Sequence, residues 1–305
     1  MRQEESLTLI SKRLHKIYHN NKELKMKLNH TEYKQRNITI WNEVAPRYHK
    51  RWASVSQGPF ASTSKLVQLL NINRGDKVFD LACGTGVVTK KITKKIGNSG
   101  YVVGGDTSIT AIKIAKKWNI PKSNLDFVNV DAENFNFSKQ FDVITCQYAL
   151  FFFPNAQKAL KNMKKHLKKE GKLGITVHGA AKKVPFFSNI IDTVTEFIPD
   201  YVPPGSPDLD RFGTKHALSG EVRKAGFSKI TVKGFVFKFN PGTFEDYWRN
   251  YLRYVAKPLK EKLDTLDGSK KKELKNLVRE NTKPYTLKNK TIEFPWQVLI
   301  LTAKN

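Results

Sequence analysis

Short apolar segments alternate with lysine-rich segments along much of the chain. The apolar segments begin near positions 77, 101, 125, 141 and 172. Between the first two of them, apolar residues recur about every four positions over residues 87–96, which is the spacing of an amphipathic helix. Parallel strands need a crossover of a dozen or more residues, usually a helix, to connect them. The pattern therefore predicts repeated strand–helix–strand units that build a parallel sheet.

The first apolar segment runs directly into a glycine-rich turn. It reaches Asp80 and Leu81, and Gly84 and Gly86 follow before the amphipathic segment starts. Glycines at such a turn let the backbone approach a ligand closely and adopt dihedral angles that a Cβ atom would penalise. The start of the following helix presents free N–H groups. Residues 77–96 are therefore predicted to form a strand, a tight turn and a helix that bind a nucleotide-like cofactor.

Two kinds of cofactor site place a glycine-rich turn after the first strand, namely dinucleotide sites and methyl-donor sites. A dinucleotide site prefers a third glycine in the pattern G-x-G-x-x-G, and Thr89 stands at that position in this chain. The second apolar segment ends in Asp106, whose carboxylate suits the two hydroxyls of a ribose. Both kinds of site predict such an acid. Asp106 and the adjacent Thr107 are therefore assigned to cofactor binding without deciding between them.

The glycine-rich turn resembles the first motif of class I S-adenosylmethionine (SAM) methyltransferases, D/E-x-G-x-G-x-G. Its fixed positions are occupied by Asp80, Ala82, Gly84 and Gly86. Ala82 replaces the first glycine of the family motif, and an alanine is small enough to keep the turn. The resemblance implies that these four residues bind SAM.

Two later segments resemble further parts of the same family. In segment 125–135 the strand leads to Asp131 and Ala132, and the resemblance implies that this carboxylate meets the adenine amino group. Segment 141–155 resembles the fourth strand of small-molecule methyltransferases, including relatives of quinone-biosynthesis enzymes, and the resemblance places Gln147 near the cofactor. The likeness covers residues 40–180 firmly and the rest of the chain, to residue 305, more loosely.

A helix ahead of the first strand adds to the resemblance. Family members carry a W-x-x-x-A-x-x-Y helix there, which corresponds to Trp41, Ala45 and Tyr48. The resemblance implies that Tyr48 lies over the cofactor as part of a lid. For Trp41 and Trp52, an aromatic cluster that pins the helix to the sheet is the better interpretation.

The resemblance implies an α/β fold of the Rossmann-like class I methyltransferase type. Its mostly parallel, seven-stranded sheet has an antiparallel last strand, which is inserted beside the sixth. A strand over 229–239, ended by Pro241 and Gly242, and a closing strand over 292–303 fit this order. Residues 1–37 are predicted to form a basic amphipathic helical extension, and residues 38–305 a methyltransferase domain. A helical cap is predicted to be inserted into that domain at about residues 243–282.

Methyl transfer from SAM is an in-line displacement, in which a nucleophile on the acceptor attacks the sulfonium methyl carbon. Sulfonium is a good leaving group, so alignment of the reactants and exclusion of water are the main contributions of the protein. A base is needed where the acceptor must lose a proton. A helix over 156–169 is predicted to lead to a fifth strand over 172–178, which ends in His178. His178 is the candidate base, and Tyr148 is the candidate orienting group.

Composition narrows the cellular setting and the partners. Cys83 and Cys146 have neither metal-ligand nor disulfide spacing, which favours a reducing, cytoplasmic location and no metal site. No apolar run approaches the roughly 18 residues that span a bilayer. The 54 basic and 27 acidic residues give a net charge of +27, which attracts nucleic acid, anionic lipid or acidic substrates. Because the lysines are spread along the chain, nucleic acid is a possible but less favoured partner. The sequence decides neither peripheral membrane contact nor the oligomeric state.

The favoured function is therefore methylation of a small, apolar or aromatic acceptor that is quinone-like, phenolic or lipid-type. No Asn/Asp-Pro-Pro-aromatic motif follows the fourth strand, which argues against methylation of adenine in nucleic acid. Three alternatives stay open. They are an RNA methyltransferase that uses the basic surface, a SAM-binding protein without catalysis, and an NAD-binding oxidoreductase.

Overall fold

The computed structural model describes residues 29–51, 53, 57–119, 123–198, 207–254 and 257–305. Residues 29–51 are helical and form helix α1. Most of the predicted extension over residues 1–37, together with Trp52, lies outside the described residues. Helix α1 passes through position 37, where the sequence predicts that the extension meets the domain.

Seven strands form one sheet in the order β3-β2-β1-β4-β5-β7-β6. They are β1 Lys77–Leu81, β2 Tyr101–Asp106, β3 Leu125–Asn129, β4 Phe141–Gln147, β5 Leu167–His178, β6 Ser228–Thr243 and β7 Thr291–Lys304. Strands β1 to β5 pair in parallel, whereas β7 lies antiparallel between β5 and β6. The predicted Rossmann-like sheet with its antiparallel last strand is confirmed. Strand β1 lies where the strand order reverses, and open α/β sheets bind ligands beyond the carboxyl ends of the strands at such a point.

Nine further helices occur in the described part of the chain. They are α2 Ser62–Leu69, α3 Val87–Ile96, α4 Ile109–Trp118, α5 Ala156–His166, α6 Pro185–Phe197, α7 Lys215–Lys224, α8 Phe244–Tyr254, α9 Lys257–Asp264 and α10 Gly268–Thr282. Consecutive strand residues point to opposite faces of the sheet, so Val78 belongs to one core cluster and Phe79 to the other. The parallel part of the sheet is thus buried on both faces, as is usual for parallel strands. None of the helices in the described ranges has both the length and the apolar composition that a bilayer crossing requires.

The region predicted to be a helical cap contains α8, α9 and α10, which lie between β6 and β7 in sequence. The aromatic face of α8 is part of the core. Tyr247 is fully buried, and its hydroxyl donates a hydrogen bond of 2.6 Å to the carbonyl of Phe186 in α6. The same ring packs edge-on against Phe294 of β7, with ring centroids 5.0 Å apart. This face therefore holds α8 against α6 and the sheet.

The boundary between α5 and β5 differs from the sequence prediction. Helix α5 ends at His166 instead of residue 169, and β5 begins at Leu167 instead of residue 172. Both ring nitrogens of His166 have a hydrogen-bond partner. Nε2 accepts a 3.1 Å hydrogen bond from the Phe137 N–H, and Nδ1 lies 2.8 Å from the Asn162 carbonyl. The chain then enters the sheet directly, where Leu167 pairs with Phe141.

Strand β6 also extends beyond its predicted end. The sequence predicts that Pro241 and Gly242 end the strand, but β6 continues to Thr243. Its pairing with β7 shifts register between Phe239 and Gly242. Such an irregularity accommodates a proline, which has no N–H for the hydrogen-bond ladder.

Candidate active site

The turn after β1 holds the backbone in the left-handed region at three positions. The φ angle is 56° at Ala82, 54° at Gly84 and 84° at Gly86, so the alanine keeps the turn. A Cβ atom on Gly86 would lie 2.7 Å from Nδ2 of Asn119 and 3.0 Å from the ring of Phe127. At Gly84, by contrast, no atom of the described residues beyond the adjacent ones lies within 4 Å of that position. The backbone at Gly84 therefore faces open space that a ligand can enter.

Asp80 lies beneath this turn as a buried carboxylate. Its Oδ2 accepts a hydrogen bond of 2.6 Å from Thr89 of α3, and its Oδ1 accepts one of 2.7 Å from Thr145 of β4. Burial raises the pKa of Asp80 to about 6, although the threonine hydroxyls act against that rise. Asp80 thus joins β1, α3 and β4 under the turn. Its direct contact with a cofactor stays a prediction.

Asp106 lies at the end of β2 and is half-buried beside Gly84. Its Oδ2 accepts a hydrogen bond from the Gly84 N–H at 2.9 Å, and its Oδ1 accepts one from the Ser108 N–H at 2.8 Å. Burial raises the pKa of Asp106, and these N–H donors act against the rise. A carboxylate oxygen accepts more than one hydrogen bond, so both oxygens can also accept from a ribose. The half-buried Thr107 follows, and its carbonyl accepts a 2.8 Å bond from the Asn129 side chain.

Two acids in the loop after β3 hold a lysine from α1. Nζ of Lys34 lies 2.9 Å from Oδ2 of Asp131 and 2.7 Å from Oε2 of Glu133. Burial lowers the pKa of Lys34, but the hydrogen bonds to Glu133 and Asp131 outweigh burial and raise the pKa overall. Ala132, between the two acids, is buried in the core. The carboxylate predicted to meet the adenine amino group is thus paired with Lys34 in this structure.

Helix α1 contacts the loops after the first three strands with three polar side chains. Lys34 contacts the loop after β3, as described above. Oδ1 of Asn42 accepts a 2.8 Å hydrogen bond from Oγ of Ser108, which follows β2. Nδ1 of His49 lies 2.9 Å from Oγ1 of Thr85 in the turn after β1. Helix α1 therefore crosses the carboxyl ends of β1, β2 and β3.

The sequence analysis did not assign Lys34, Asn42 and His49 to the site. They are spaced eight and seven residues apart, which is about two helical turns, so a helix presents all three on one side. Polar residues repeated at two-turn spacing ahead of the first strand are the signal that could have identified them.

Tyr48 packs against the core from the same helix. Its ring is edge-on to Trp41, with centroids 5.8 Å apart, and Trp41 is edge-on to Phe152 at 5.9 Å. Burial raises the pKa of Tyr48 to about 12. The aromatic cluster predicted for Trp41 is present, whereas contact of Tyr48 with a cofactor stays a prediction.

Gln147 and Tyr148, at the end of β4, are tied to the start of α2 and the segment before it. Nε2 of Gln147 donates to Oγ1 of Thr63 at 3.0 Å and to Oγ of Ser62 at 3.2 Å. Tyr148 has a φ of 56°, and its hydroxyl donates a 2.8 Å hydrogen bond to the carbonyl of Pro59. Burial raises the pKa of Tyr148 well above its ordinary value, so the hydroxyl keeps its proton. Both polar groups thus bind protein, and the contact of Gln147 with a cofactor stays a prediction.

His178, at the end of β5, lies in an aromatic cluster. It stacks on the Tyr148 ring, with centroids 4.6 Å apart and planes inclined by 17°, and its Nδ1 lies 3.0 Å from the indole N–H of Trp296. The rings of Phe151 and Phe187 have centroids 5.3 and 5.1 Å from that of His178. Burial lowers the pKa of His178 to about 3. The imidazole is therefore neutral at physiological pH.

These two groups of residues share one edge of the sheet. Adjacent strands are about 4.8 Å apart, so the end of β5 lies roughly 10 Å from the end of β1. The open backbone at Gly84 and the carboxylate of Asp106 fit a nucleoside-bearing cofactor such as SAM. The aromatic cluster around His178 lies at the same edge, two strands away from β1. The arrangement can therefore place a cofactor and an acceptor side by side.

The sequence profile of the methyltransferase domain family matches residues 78–171. The matched range includes the glycine-rich turn, Asp106 and Asp131. The chain is also similar to a demethylmenaquinone methyltransferase of Staphylococcus epidermidis. The two are 25% identical over 210 residues, which cover 65% of this chain and 87% of that protein.

Solved structures of methyltransferases share the fold. A candidate methyltransferase of Bacillus halodurans has a TM-score of 0.56 at 20% identity, covering 80% of this chain and 98% of that chain. A phosphoethanolamine N-methyltransferase of Haemonchus contortus, in complex with phosphomonomethylethanolamine and S-adenosylhomocysteine, has a TM-score of 0.54 at 13% identity. That match covers 87% of this chain and 57% of the Haemonchus chain.

Proposed function

The chain belongs to the class I SAM-dependent methyltransferases, and on that premise we propose that it methylates a small aromatic acceptor of the quinol or phenol type. When bound, SAM supplies an electrophilic methyl group on a leaving group that needs no protonation. The observation that carries the proposal is the aromatic cluster around His178 at the carboxyl end of β5. The name of the Staphylococcus relative, a demethylmenaquinone methyltransferase, supports a quinone-type acceptor.

The cofactor side of the proposed site is formed by the loops after β1, β2 and β3. Gly84 leaves room for the cofactor to approach the backbone, and Asp106 accepts hydrogen bonds from the ribose hydroxyls. Asp131 accepts a hydrogen bond from the adenine amino group, which requires this carboxylate to share its interaction with Lys34 or to release it. Asp80 supports the turn from below through its two threonine partners.

The acceptor side is formed by the rings around His178. The half-buried rings of Tyr148 and Phe187 bind an aromatic acceptor through offset stacking and edge contacts, and the buried Phe151 supports His178 from the core. Tyr148 keeps its proton because burial raises its pKa, so its role is to orient the imidazole through the stack. These side chains align the acceptor with the methyl group and exclude water, which are the main requirements of the reaction.

A methyl-transfer assay tests the proposal. The full chain is incubated with tritium-labelled SAM and, separately, with 1,4-naphthoquinol, catechol, phosphoethanolamine or transfer RNA. We expect protein-dependent labelling of naphthoquinol or catechol. Phosphoethanolamine tests an amine acceptor, and the RNA tests a polymer attracted by the net charge of +27. Labelling of phosphoethanolamine or RNA alone, or of no acceptor, contradicts the proposal. Asp106→Ala is the control, and its labelling should fall sharply at SAM concentrations that saturate the unsubstituted protein.

A further inference from the structure

Aromatic neighbours restrict the orientation of the His178 ring. Tyr148 covers one face in a nearly parallel stack, and Phe187 meets the ring with planes inclined by 68°. Phe151 adds a third contact, with planes inclined by 37°. A ring enclosed in this way cannot turn over without displacing its neighbours. The two ring nitrogens of His178 therefore have different and fixed surroundings.

Trp296 reaches His178 because of the strand register. In the antiparallel pairing of β5 and β7, His178 lies opposite Val298, and Trp296 is the diagonal neighbour on the same face. Only 4% of Trp296 is exposed, and its ring stacks on Phe186 with centroids 4.9 Å apart. The indole N–H is thus held in place, 3.0 Å from Nδ1 of His178.

The hydrogen bond to Trp296 determines the tautomer of His178. An indole nitrogen can only donate, so Nδ1 of His178 must be the acceptor. Because a neutral imidazole carries one proton, that proton must be on Nε2. The lone pair on Nδ1, the only one with which the neutral ring could accept a proton, is then already bound to the indole N–H of Trp296. This arrangement favours a donor role for His178 over the general-base role that the sequence predicts.

The Nε2 atom of His178 is available to a ligand. The side chain is half-buried, and no described residue forms a hydrogen bond with Nε2. Within the described ranges, the fully buried polar atoms without a partner do not include Nε2, so this atom is accessible to solvent. The N–H at this position can therefore donate to a bound molecule.

We propose that Trp296 is a positioning residue that holds His178 as an Nε2–H donor, and that the acceptor presents a phenolic or carbonyl oxygen to this N–H. This inference rests on the function proposed above. Hydrogen bonding to the charged form favours that form, so the donor lowers the pKa of a phenol and increases the fraction of nucleophilic phenolate. His178 thus recognises an oxygen of the acceptor that lies close to the methylated atom, whether that atom is a carbon or another oxygen.

The proposed methyl transfer does not require Nδ1 of His178 to take up a proton. The phenol first gives its proton to water. For carbon methylation, a ring carbon of the phenolate then forms the new bond to the methyl carbon, while the S–CH₃ bond breaks and its electron pair stays on sulfur. The ring carbon then loses its proton to water, which restores the aromatic ring. His178 keeps its proton throughout, and no oxidant or reductant is consumed.

Nitrogen-15 NMR of the full chain, labelled at histidine, reads the tautomer without any turnover. Two-bond proton–nitrogen correlations at pH 7 should show the Nε2–H tautomer for His178, whose signals are identified by their loss in His178→Gln. An Nδ1–H tautomer or an imidazolium ion in the unsubstituted protein overturns the proposal.

Substitution of Trp296 tests its role as the positioning residue. Trp296→Phe keeps an aromatic ring but removes the N–H, and it should convert His178 to a mixture of both tautomers. Tyr247→Phe is the matched control, because it removes another buried hydrogen bond from the same core cluster and should leave the tautomer unchanged. A single Nε2–H tautomer in Trp296→Phe overturns the role of Trp296.

The same spectra test recognition of an oxygen. With S-adenosylhomocysteine present, 1,4-naphthoquinone should shift the Nε2–H resonance of His178, whereas naphthalene, which lacks the oxygens, should not. No shift with the quinone, or equal shifts with both probes, overturns this half of the proposal. These readouts do not need methyl transfer, so failure of the proposed function would appear separately, as absence of label in the transfer assay.

Kinetics with the best-labelled acceptor separate a donor from a base. In His178→Gln the side chain keeps an N–H donor but cannot act as a base, and in His178→Leu it does neither. We expect kcat of the glutamine variant to exceed that of the leucine variant about tenfold, which corresponds to one hydrogen bond to a charged group. Equal losses in both variants overturn the donor role.

Discussion

The two halves of the proposed site, one for the cofactor and one for the acceptor, are assembled in different ways. The cofactor half uses the loops after three neighbouring strands, and its residues from 80 to 131 follow one another along the chain. The acceptor half joins Tyr148, His178, Phe187 and Trp296 from four separate segments. Consecutive strand–helix units can therefore form most of the first half, whereas the second half exists only when β5 and β7 are paired.

The two halves also differ in charge. The cofactor half contains the carboxylates of Asp80, Asp106 and Asp131 and the ammonium group of Lys34. The acceptor half is uncharged at neutral pH, because burial lowers the pKa of His178 to about 3 and raises that of Tyr148. Under the proposed function, the charged groups bind the cofactor, and shape and hydrogen bonding select the acceptor despite the net charge of +27.

The largest effect expected in the cofactor half comes from Asp106→Ala. Loss of hydrogen bonds from two ribose hydroxyls to a charged acceptor should weaken SAM binding about 100-fold. Calorimetric titration with SAM measures this change, and Asp126→Ala, an exposed acid on β3, is the control. Unchanged affinity would remove Asp106 from the cofactor half.

The two glycines of the turn should respond in opposite ways. Gly86→Ala combines a strained φ of 84° with a Cβ atom only 2.7 Å from Nδ2 of Asn119, and should lower the free energy of unfolding by about 2–3 kcal/mol. Gly84→Ala carries only backbone strain, about 1 kcal/mol, but should weaken SAM binding about tenfold, because its methyl group enters the open space. Urea denaturation and calorimetry measure the two effects. Equal losses of stability would contradict the packing difference.

The raised pKa of Asp80 predicts a stability that depends on pH. Its pKa is about 6 in the folded chain, and an unfolded aspartate has a pKa of about 3.9. Between these values the folded state binds more protons, so the contribution of Asp80 to the free energy of unfolding falls as the pH rises. Relative to Asp80→Asn, the wild type should lose about 2–3 kcal/mol between pH 4 and pH 7 in urea denaturation. A difference independent of pH would refute the raised pKa.

In the acceptor half, Phe187→Ala should affect the acceptor and spare the cofactor. Removing the ring beside His178 should raise KM for the acceptor about tenfold, a typical loss for one aromatic contact and its buried area. The dissociation constant of SAM should stay the same. Phe235→Ala, which removes a half-buried ring on β6 that stacks on Phe237, is the matched control. Parallel changes for SAM and acceptor would mean that the two halves are not independent.

The smallest effect is expected for the pair between α1 and the loop after β3. Lys34→Met should lower the free energy of unfolding by about 1 kcal/mol or less, because the pair is partly exposed. Hydrogen exchange in α1 should become faster, and Lys94→Met, an exposed lysine of α3, should change neither quantity. A loss above about 2 kcal/mol would show that the pair behaves as a buried one.

Much of the cofactor half could be predicted from the sequence, because each part depends on neighbouring residues. The glycine turn, the acid after β2 and the acid after β3 were all recognisable, and Thr89 correctly argued against a dinucleotide site. The spacing of Lys34, Asn42 and His49 places them on one side of a helix, but their partners could not be predicted, since these depend on where α1 lies over the sheet.

By itself, the sequence determined the strand–helix–strand units of a parallel sheet, because hydrophobic periodicity and turn residues act over short distances. The antiparallel last strand and the methyltransferase class followed from the resemblance of its motifs to a known family. Tertiary structure alone decided the environment of His178. The residue is recognisable at the end of a strand, but its partner Trp296 lies 118 residues further along the chain. Only the pairing of β5 with β7 brings that indole to Nδ1, and the hydrogen bond it donates determines which nitrogen of the histidine carries the proton.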